Sequence, residues 1–268
     1  MIGLRQEKIL KLFNENGYME VTDLAAQLNV SVATIRRDLD FLEKEGKCLR
    51  KHGGGMLKNK GFMFEVSYAE KEQSFIEEKK KIAEIAVSYI HPGDAVILDS
   101  GSTVFQMAHF LQDRDDLTVV TNDIKTAFIL ASNSKISLFI PGGAVLPGVF
   151  PVSGTKTVDW FEHLHVNTLF LGADAIHSDG RIMNYNEAET RAKQAMVSAA
   201  DKVVVMATSD KFSRNGFLEV CSLRSADVLI TDSNIKPETL EWIRGFNIDI
   251  KIVPSSAGEH IGEKGRAE

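Results

Sequence analysis

Over residues 1–58 the apolar positions recur every three or four residues, the period of a helix with one buried face. Ile9, Leu12 and Phe13 predict a helix over Leu4–Asn14, ended by Gly17. Leu24, Ala25 and Leu28 predict a second, starting at Val21-Thr22-Asp23 with Thr22 or Asp23 as its cap. Asn29-Val30-Ser31 reads as a short turn. Ser31 then caps a third helix, Val32–Glu45, with Ile35, Leu39 and Leu42 inward and Gly46 as its stop. Lys47–Lys58, with its run Arg50-Lys51-His52-Gly53-Gly54-Gly55, suits a tight β-turn rather than a helix.

From Lys60 to Lys81 the pattern is weak and charged, and reads as a connector that becomes helical near Glu77. Beyond it the period changes. Short apolar runs at Ala95–Asp99, Leu117–Thr121, Ile136–Ile140, Val166–Gly172, Val203–Ala207, Val228–Thr231 and Ile250–Val253 predict strands. Helical patterns at Thr103–Leu111, Ile124–Ser132, Asn186–Ala199 and Pro237–Phe246 fall between them. Continuous apolar strands alternating with helices indicate a parallel sheet covered on both faces. The expected fold is therefore α/β: an N-terminal winged helix-turn-helix domain joined to a larger domain with a mainly parallel sheet flanked by helices. The expected divisions are a head at 1–58, a linker at 59–78, a larger domain at 79–253 and a disordered polar tail at 254–268.

Composition adds exclusions. Hydrophobic residues make up 44% and charged residues 25%, an ordinary globular balance. No apolar run approaches the ~20 residues of a membrane span, and no signal-peptide pattern opens the chain. Two cysteines, Cys48 and Cys221, make neither a disulfide framework nor a zinc site alone, so a cytoplasmic location is expected. Net charge is −6, which argues against nucleic acid until it is divided: residues 1–58 carry ten basic and eight acidic side chains, and the acidic excess lies beyond them. A small basic-faced head on an acidic body is the result, although a solvated charged surface has the same charge pattern.

Two short helices around a three-residue turn match helix-turn-helix geometry, in which the second helix enters the major groove by its N-terminal residues. Those residues are Ser31, Val32, Ala33, Thr34, Arg36 and Arg37. Ser31 and Thr34 offer hydrogen bonds to phosphate or base edges. Arg36 or Arg37 can make a bidentate contact with guanine, with Arg36 favoured, since adjacent residues point about 100° apart. Asp38 is read as a partner that orients an arginine. Arg50, Lys51, His52 and Gly53 read as the tip of a wing whose cations reach phosphate or the minor groove. A three-helix protein-interaction module shares the same generic spacing.

The details are more specific. Arg5-Gln6-Glu7-Lys8-Ile9-Leu10, Thr34-Ile35-Arg36-Arg37-Asp38-Leu39, Leu42, Gly46 and Arg50-Lys51-His52-Gly53-Gly54 closely resemble the DeoR family of bacterial transcription regulators. The resemblance continues through Asp99-Ser100-Gly101-Ser102-Thr103, Thr121-Asn122, Gly142-Gly143 and Gly172-Ala173-Asp174. It implies a winged-helix reader of operator DNA joined to a sugar-phosphate sensor, usually a repressor of sugar catabolic genes. It also implies a homo-oligomer, a dimer or tetramer reading repeated half-sites.

In an open parallel sheet, ligands sit beyond the carboxyl ends of the strands. Asp99, Ser100, Gly101, Ser102 and Thr103 join a strand to a helix, and small residues there let backbone N–H groups, hydroxyls and a helix N-terminus surround a phosphate. Thr121 and Asn122 offer side-chain hydrogen bonds, and Gly142 and Gly143 allow close approach. Taken singly, each is more often a turn. Lys193 and Lys211 are candidate countercharges, with a plain surface lysine as the alternative. Asp174 and Glu187 are candidate acceptors for sugar hydroxyls; Glu187 fits equally as a first-turn helix charge.

The body is also similar to ribose-5-phosphate isomerase. Where that enzyme has an Asp-Gly-Ala-Asp strand end, this chain has Leu171-Gly172-Ala173-Asp174. The enzyme's Thr-Arg-Glu-Lys helix is here Thr190-Arg191-Ala192-Lys193, and its glycine-rich lysine loop is missing. A methyl group cannot move a proton, so Ala192 removes the expected general base. The expectation is a binding pocket without catalytic residues, metal or cofactor; the alternative is an isomerase with an accessory DNA-binding head, using Glu187 or Glu189 as the base. No GxxxxGK[ST] loop or GxGxxG after a strand supports a nucleotide enzyme. His163 and His165 lack a third clustered ligand, and Cys221 reads as a small buried residue rather than a nucleophile.

Overall fold

A computed structural model describes residues 3–16, 19–51, 53–57, 68–133 and 135–255, with backbone alone for 14–16, 51, 56, 69 and 70. The chain divides into two compact units, residues 1–64 and 65–268.

The first unit contains α1 (Leu4–Asn16), β1 (Met19–Glu20), α2 (Val21–Leu28), α3 (Val32–Lys44), β2 (Cys48–Lys51) and β3 (Gly54–Leu57). The strands form an antiparallel sheet in the order β1-β3-β2. Ile9, Phe13, Leu24, Ile35, Leu39 and Leu42 are fully buried in one cluster with Cys48, so the three amphipathic stripes meet as their spacing requires. A Cβ on Gly55 would lie 2.9 Å from the Phe13 ring, so the wing can pack against α1 only through glycine. The Ser31 hydroxyl accepts from the Thr34 amide at 3.2 Å, the expected cap of α3. The cap expected at Thr22 or Asp23 is not there. Val21 is already helical, Glu20 holds the cap position without a side-chain bond, and the Gly53 carbonyl takes the Val21 amide at 2.8 Å. Backbone from the wing thus satisfies a helix-end donor that a side chain was expected to satisfy. Gly17, read as the stop of the first helix, lies outside the described residues.

The second unit opens with α4 (Tyr68–Gln73) and α5 (Ile76–Val87). Then come β4 (Ala95–Leu98), α6 (Phe105–Leu111), β5 (Thr118–Thr121), α7 (Ile124–Leu130) and β6 (Ser137–Phe139). A small excursion follows: β7 (Ala144–Val145), β8 (Val152–Ser153) and α8 (Thr155–Glu162). The chain continues through β9 (Val166–Gly172), β10 (Ala175–Ile176), β11 (Arg181–Asn184), α9 (Glu187–Ala199), β12 (Ala200–Met206) and β13 (Leu218–Ser222). It ends with β14 (Val228–Asp232), α10 (Pro237–Arg244) and β15 (Asp249–Val253).

Seven strands make one parallel sheet, ordered β15-β14-β12-β9-β4-β5-β6. Alternate residues of the same strands serve opposite faces. Ile97, Leu169, Leu171, Val203 and Val205 pack with Phe161, Ala192, Met196 and Ile243 from α8, α9 and α10. Val96, Leu98, Phe170 and Val204 pack with Ile82, Ala86, Met107, Leu111 and Leu130 from α5, α6 and α7. Both faces being covered explains why these strands read as continuous apolar runs.

Several stretches depart from the expectation, among them β7, β8 and α8, which no expected strand or helix covers. The stretch read as a linker contains α4, which belongs to the second unit. It has no apolar stripe to announce it because polar bonds hold it: Lys71 pairs with Asp174, and the buried Lys79 ammonium donates to the carbonyls of Lys71 and Ser74. The antiparallel sheet β10-β11-β13 is not among the expected elements, because β10 and β11 are short and β13 is distant in sequence, and it leaves Cys221 half-buried. In the stretch read as a disordered tail, the Ser255 amide bonds the Ser233 hydroxyl at 2.9 Å; residues 256–268 lie outside the described residues.

Candidate functional site

The large sheet grows in two directions from its middle. From β4 the chain proceeds outward through β5 and β6; from β9 it proceeds the other way through β12, β14 and β15. The loops leaving the adjacent carboxyl ends of β4 and β9 therefore diverge, and a crevice opens between them. It is open to solvent. Tyr68, Lys71, Ser100, Gly101, Ser102, Thr103, Val149, Gly172, Ala173, Asp174, Glu189, Lys193 and Lys211 line it.

Packing fixes its floor. Asp99 is fully buried, and its Oδ2 accepts from the Gly172 amide at 2.9 Å and from the Lys193 ammonium. A Cβ on Gly172 would stand 3.3 Å from the Ser100 carbonyl, so glycine lets the two loops meet. Gly101, at φ +133°, turns the backbone sharply after β4. Burial opposes charge on Lys193, but Asp99 and Glu189 outweigh it and hold the ammonium above the usual lysine range.

The walls bring the other charges in. Lys71 donates to Asp174 Oδ1 at 2.7 Å. Burial resists ionisation of Asp174, but Lys71 and Lys211 prevail and keep its carboxyl below the usual range. Lys211 lies on a 3-10 turn, Ser209–Ser213, 3.7 Å from Asp210. Burial pushes its ammonium down to about 8 against the pull of Asp210. Three lysines and the hydroxyls of Ser100, Ser102 and Thr103 suit an anion; Asp174 and Glu189 suit hydroxyl groups.

Ser100, Gly101, Ser102, Thr103, Asp174, Lys193 and Lys211 line one cleft. The helix itself, α6, is assigned from Phe105, two residues later than expected, but the Phe105 amide already donates to the Gly101 carbonyl at 2.9 Å, so a helical turn opens at the cleft loop. Asp99 lies behind the cleft as the anchor of Lys193 rather than along its wall. Thr121 and Asn122 are outside it too. The Thr121 hydroxyl accepts from the Asp123 amide at 3.1 Å, and Asn122 Nδ2 donates to the Val152 carbonyl at 3.3 Å, so both tie down the loop after β5. Gly142 and Gly143 receive α8: the Thr157 hydroxyl donates to the Gly142 carbonyl at 2.9 Å, and a Cβ on Gly143 would fall 2.4 Å from that hydroxyl. The close approach there is the protein's own. Glu187 is a first-turn charge, exposed and paired with Arg191 at 3.0 Å. Sequence reading missed Tyr68, Lys71 and Val149, which lie in stretches without a strand-end signal; Gly172, Ala173 and Glu189 stood inside noticed motifs. Ala192 is fully buried in α9 and offers no proton acceptor.

In the first unit, α2 and α3 form the helix-turn-helix, with Asn29 at φ +51° closing α2. Ser31, Ala33, Arg36 and Arg37 are exposed, Val32 and Thr34 half-buried, and Ile35 and Leu39 are core. Asp38 does orient an arginine, but it is Arg5: Nε donates at 2.5 Å, and Gln6 adds a bond at 3.0 Å, fixing α1 to α3. Arg50 pairs with Asp40. Gly53 turns the wing at φ +86°. The backbone of Lys51 is described but its side chain is not, and His52 lies outside the described residues.

Among the described residues no group of three or more His, Cys, Asp or Glu is placed to hold a metal ion. No described helix is long and apolar enough to cross a membrane. Burial pushes both cysteine thiols up to about 11, which keeps them protonated and poor nucleophiles.

Comparison with known proteins agrees with both units. Residues 5–60 match the DeoR-like helix-turn-helix domain, and residues 74–233 match the DeoR C terminal sensor domain. The chain is 33% identical over 257 residues to the "Uncharacterized HTH-type transcriptional regulator YulB" of Bacillus subtilis, covering 96% of this chain and 98% of that one. It is 31% identical over 250 residues to the "Putative aga operon transcriptional repressor" of Escherichia coli O157:H7, covering 93% of each. Among solved structures, ribose 5-phosphate isomerase A from Methanocaldococcus jannaschii aligns with a TM-score of 0.39 at 17% identity, over 52% of this chain and 55% of that one. The relatives are regulators, and the match runs through DNA-reading helices and sensor alike: the chain belongs to the DeoR family of helix-turn-helix transcriptional regulators.

Proposed function

We propose that this chain is a repressor of sugar-metabolism genes whose operator binding is set by a phosphorylated sugar, or a related metabolite, held in the cleft of the second unit. The observation that carries the reading is the convergence of Lys71, Lys193 and Lys211 with the Ser100–Thr103 loop at the sheet's switch point. Cations and hydroxyls receive the phosphate; Asp174 and Glu189 accept from sugar hydroxyls. The exposed Arg36 and Arg37 read the major groove from α3, and the wing holds phosphate. The working form is a dimer or tetramer in the cytoplasm, because repeated half-sites call for repeated readers. Ligand releases operator only by preferring one arrangement of that oligomer, since equal affinity for both shifts nothing.

A thermal-shift screen of the full chain against sugar phosphates, the unphosphorylated sugars and inorganic phosphate tests this. A phosphorylated sugar raises the melting temperature, and the same compound weakens binding to an operator duplex in a gel shift. A chain that responds to no phosphate ester refutes the sensor reading. Conversion of an aldose phosphate to its ketose would make it an isomerase instead.

A further inference from the structure

Tyr68 sits on α4, outside every motif of the family resemblance, and lines the cleft. Its side chain is 4% exposed, yet its hydroxyl has no hydrogen-bond partner among the described residues. A buried, unpartnered hydroxyl is costly and uncommon in a native interior, and calls for an explanation. The ring itself is held firmly. It meets Phe150 edge-on at 5.3 Å between centroids, and the Lys125 ammonium stands 4.7 Å from its centre. Burial, together with Asp123 and Glu72, pushes the phenol's pKa above its ordinary value, so the group keeps its proton and is a donor at neutral pH. Three residues further along α4, Lys71 pairs with Asp174 in the same cleft. Tyr68 and Lys71 both line the cleft, so one turn of α4 supplies its wall with a hydrogen-bond donor and a cation.

We propose that Tyr68 is a ligand-binding residue of this cleft, its hydroxyl donating to an oxygen of a bound phosphate ester while Lys71 turns from Asp174 towards the same anion. This deepens the sensor reading and rests on it. Its consequence is that α4, the first described helix after the DNA-reading unit, takes part in holding the effector. Binding energy is therefore spent on the segment that leads to the head.

The test is Tyr68→Phe in the full chain, which removes one O–H and keeps the ring against Phe150 and Lys125. The probe is the sugar phosphate that gives the largest thermal shift with the parent protein, titrated by calorimetry. A hydrogen bond to a charged acceptor predicts a loss of affinity of about tenfold or more, and the operator-release curve moves to higher ligand by the same factor. The ligand-free melting temperature stays level or rises, because the hydroxyl has nothing to lose there; a purely structural hydroxyl would lower it. Affinity within twofold of the parent overturns the proposal while leaving the sensor reading intact. A parent protein that binds no phosphate ester overturns both.

Discussion

At the scale of single residues, the cleft depends on charges that burial makes expensive. Asp99 is fully buried and Lys193 nearly so, each compensating the other. Lys193→Ala therefore strands a buried carboxylate, and urea unfolding should show a loss of about 3–5 kcal/mol. Loss of ligand response in that variant would then report on folding as well as on binding. Lys211 is the better probe of recognition. With its ammonium pushed down to about 8, it is charged at pH 7 and largely neutral at pH 9. An anion bound beside it loses attraction as pH rises through that range, so affinity for a phosphate ester should fall between pH 7 and 9. Lys211→Met should bind weakly at pH 7 and lose most of that fall; a variant whose titrations keep the parent's pH profile would exclude Lys211.

Elements differ in how far their sequence announces them. The helices of the first unit and the strands of the large sheet show periodic apolar positions, and periodicity reports burial directly. The element α4 shows none, because carbonyl and carboxylate bonds from Lys79 and Lys71 hold it. Lys79 gives it a pH signature. Burial above all, then Lys211, brings the folded value down to about 7 from the ordinary 10.5. Above pH 7 the folded chain has released a proton that the unfolded chain still binds. This term therefore adds stability as pH rises from about 7 towards 10.5, at up to ~1.4 kcal/mol per pH unit for one proton. Lys79→Met should remove its part of the rise and leave the smaller part that Lys211 contributes above pH 8, which denaturation of parent and variant at pH 7 and pH 9 will measure. The helix α3 carries a different prediction. Its exposed Arg36, replaced by alanine, should weaken operator binding and relax preference at one base, whereas Lys51→Ala in the wing should weaken all sequences evenly and flatten the salt dependence. Equal salt slopes for Lys51→Ala and the parent would deny the wing its phosphate contact.

At the scale of the whole molecule, the sequence by itself determined the two-part plan, the reading helix and the parallel sheet. Each of these is written in local spacing: Ile35, Leu39 and Leu42 along one helix face, Ser31 at its cap, and unbroken apolar runs such as Val203–Ala207 for strands buried on both faces. The motif Ser100–Thr103 was legible for the same reason, being a strand end followed by small residues. Tertiary structure alone decided which polar residues share a cleft. It brought Tyr68 and Lys71 from the supposed linker to Asp174 and Lys193, and it turned Thr121, Asn122 and Gly143 to the support of neighbouring loops. The physical reason is that a buried apolar face imposes a period on the chain, whereas a hydrogen bond or ion pair between distant residues imposes none. Its partners become visible only when the sheet order sets two loops side by side.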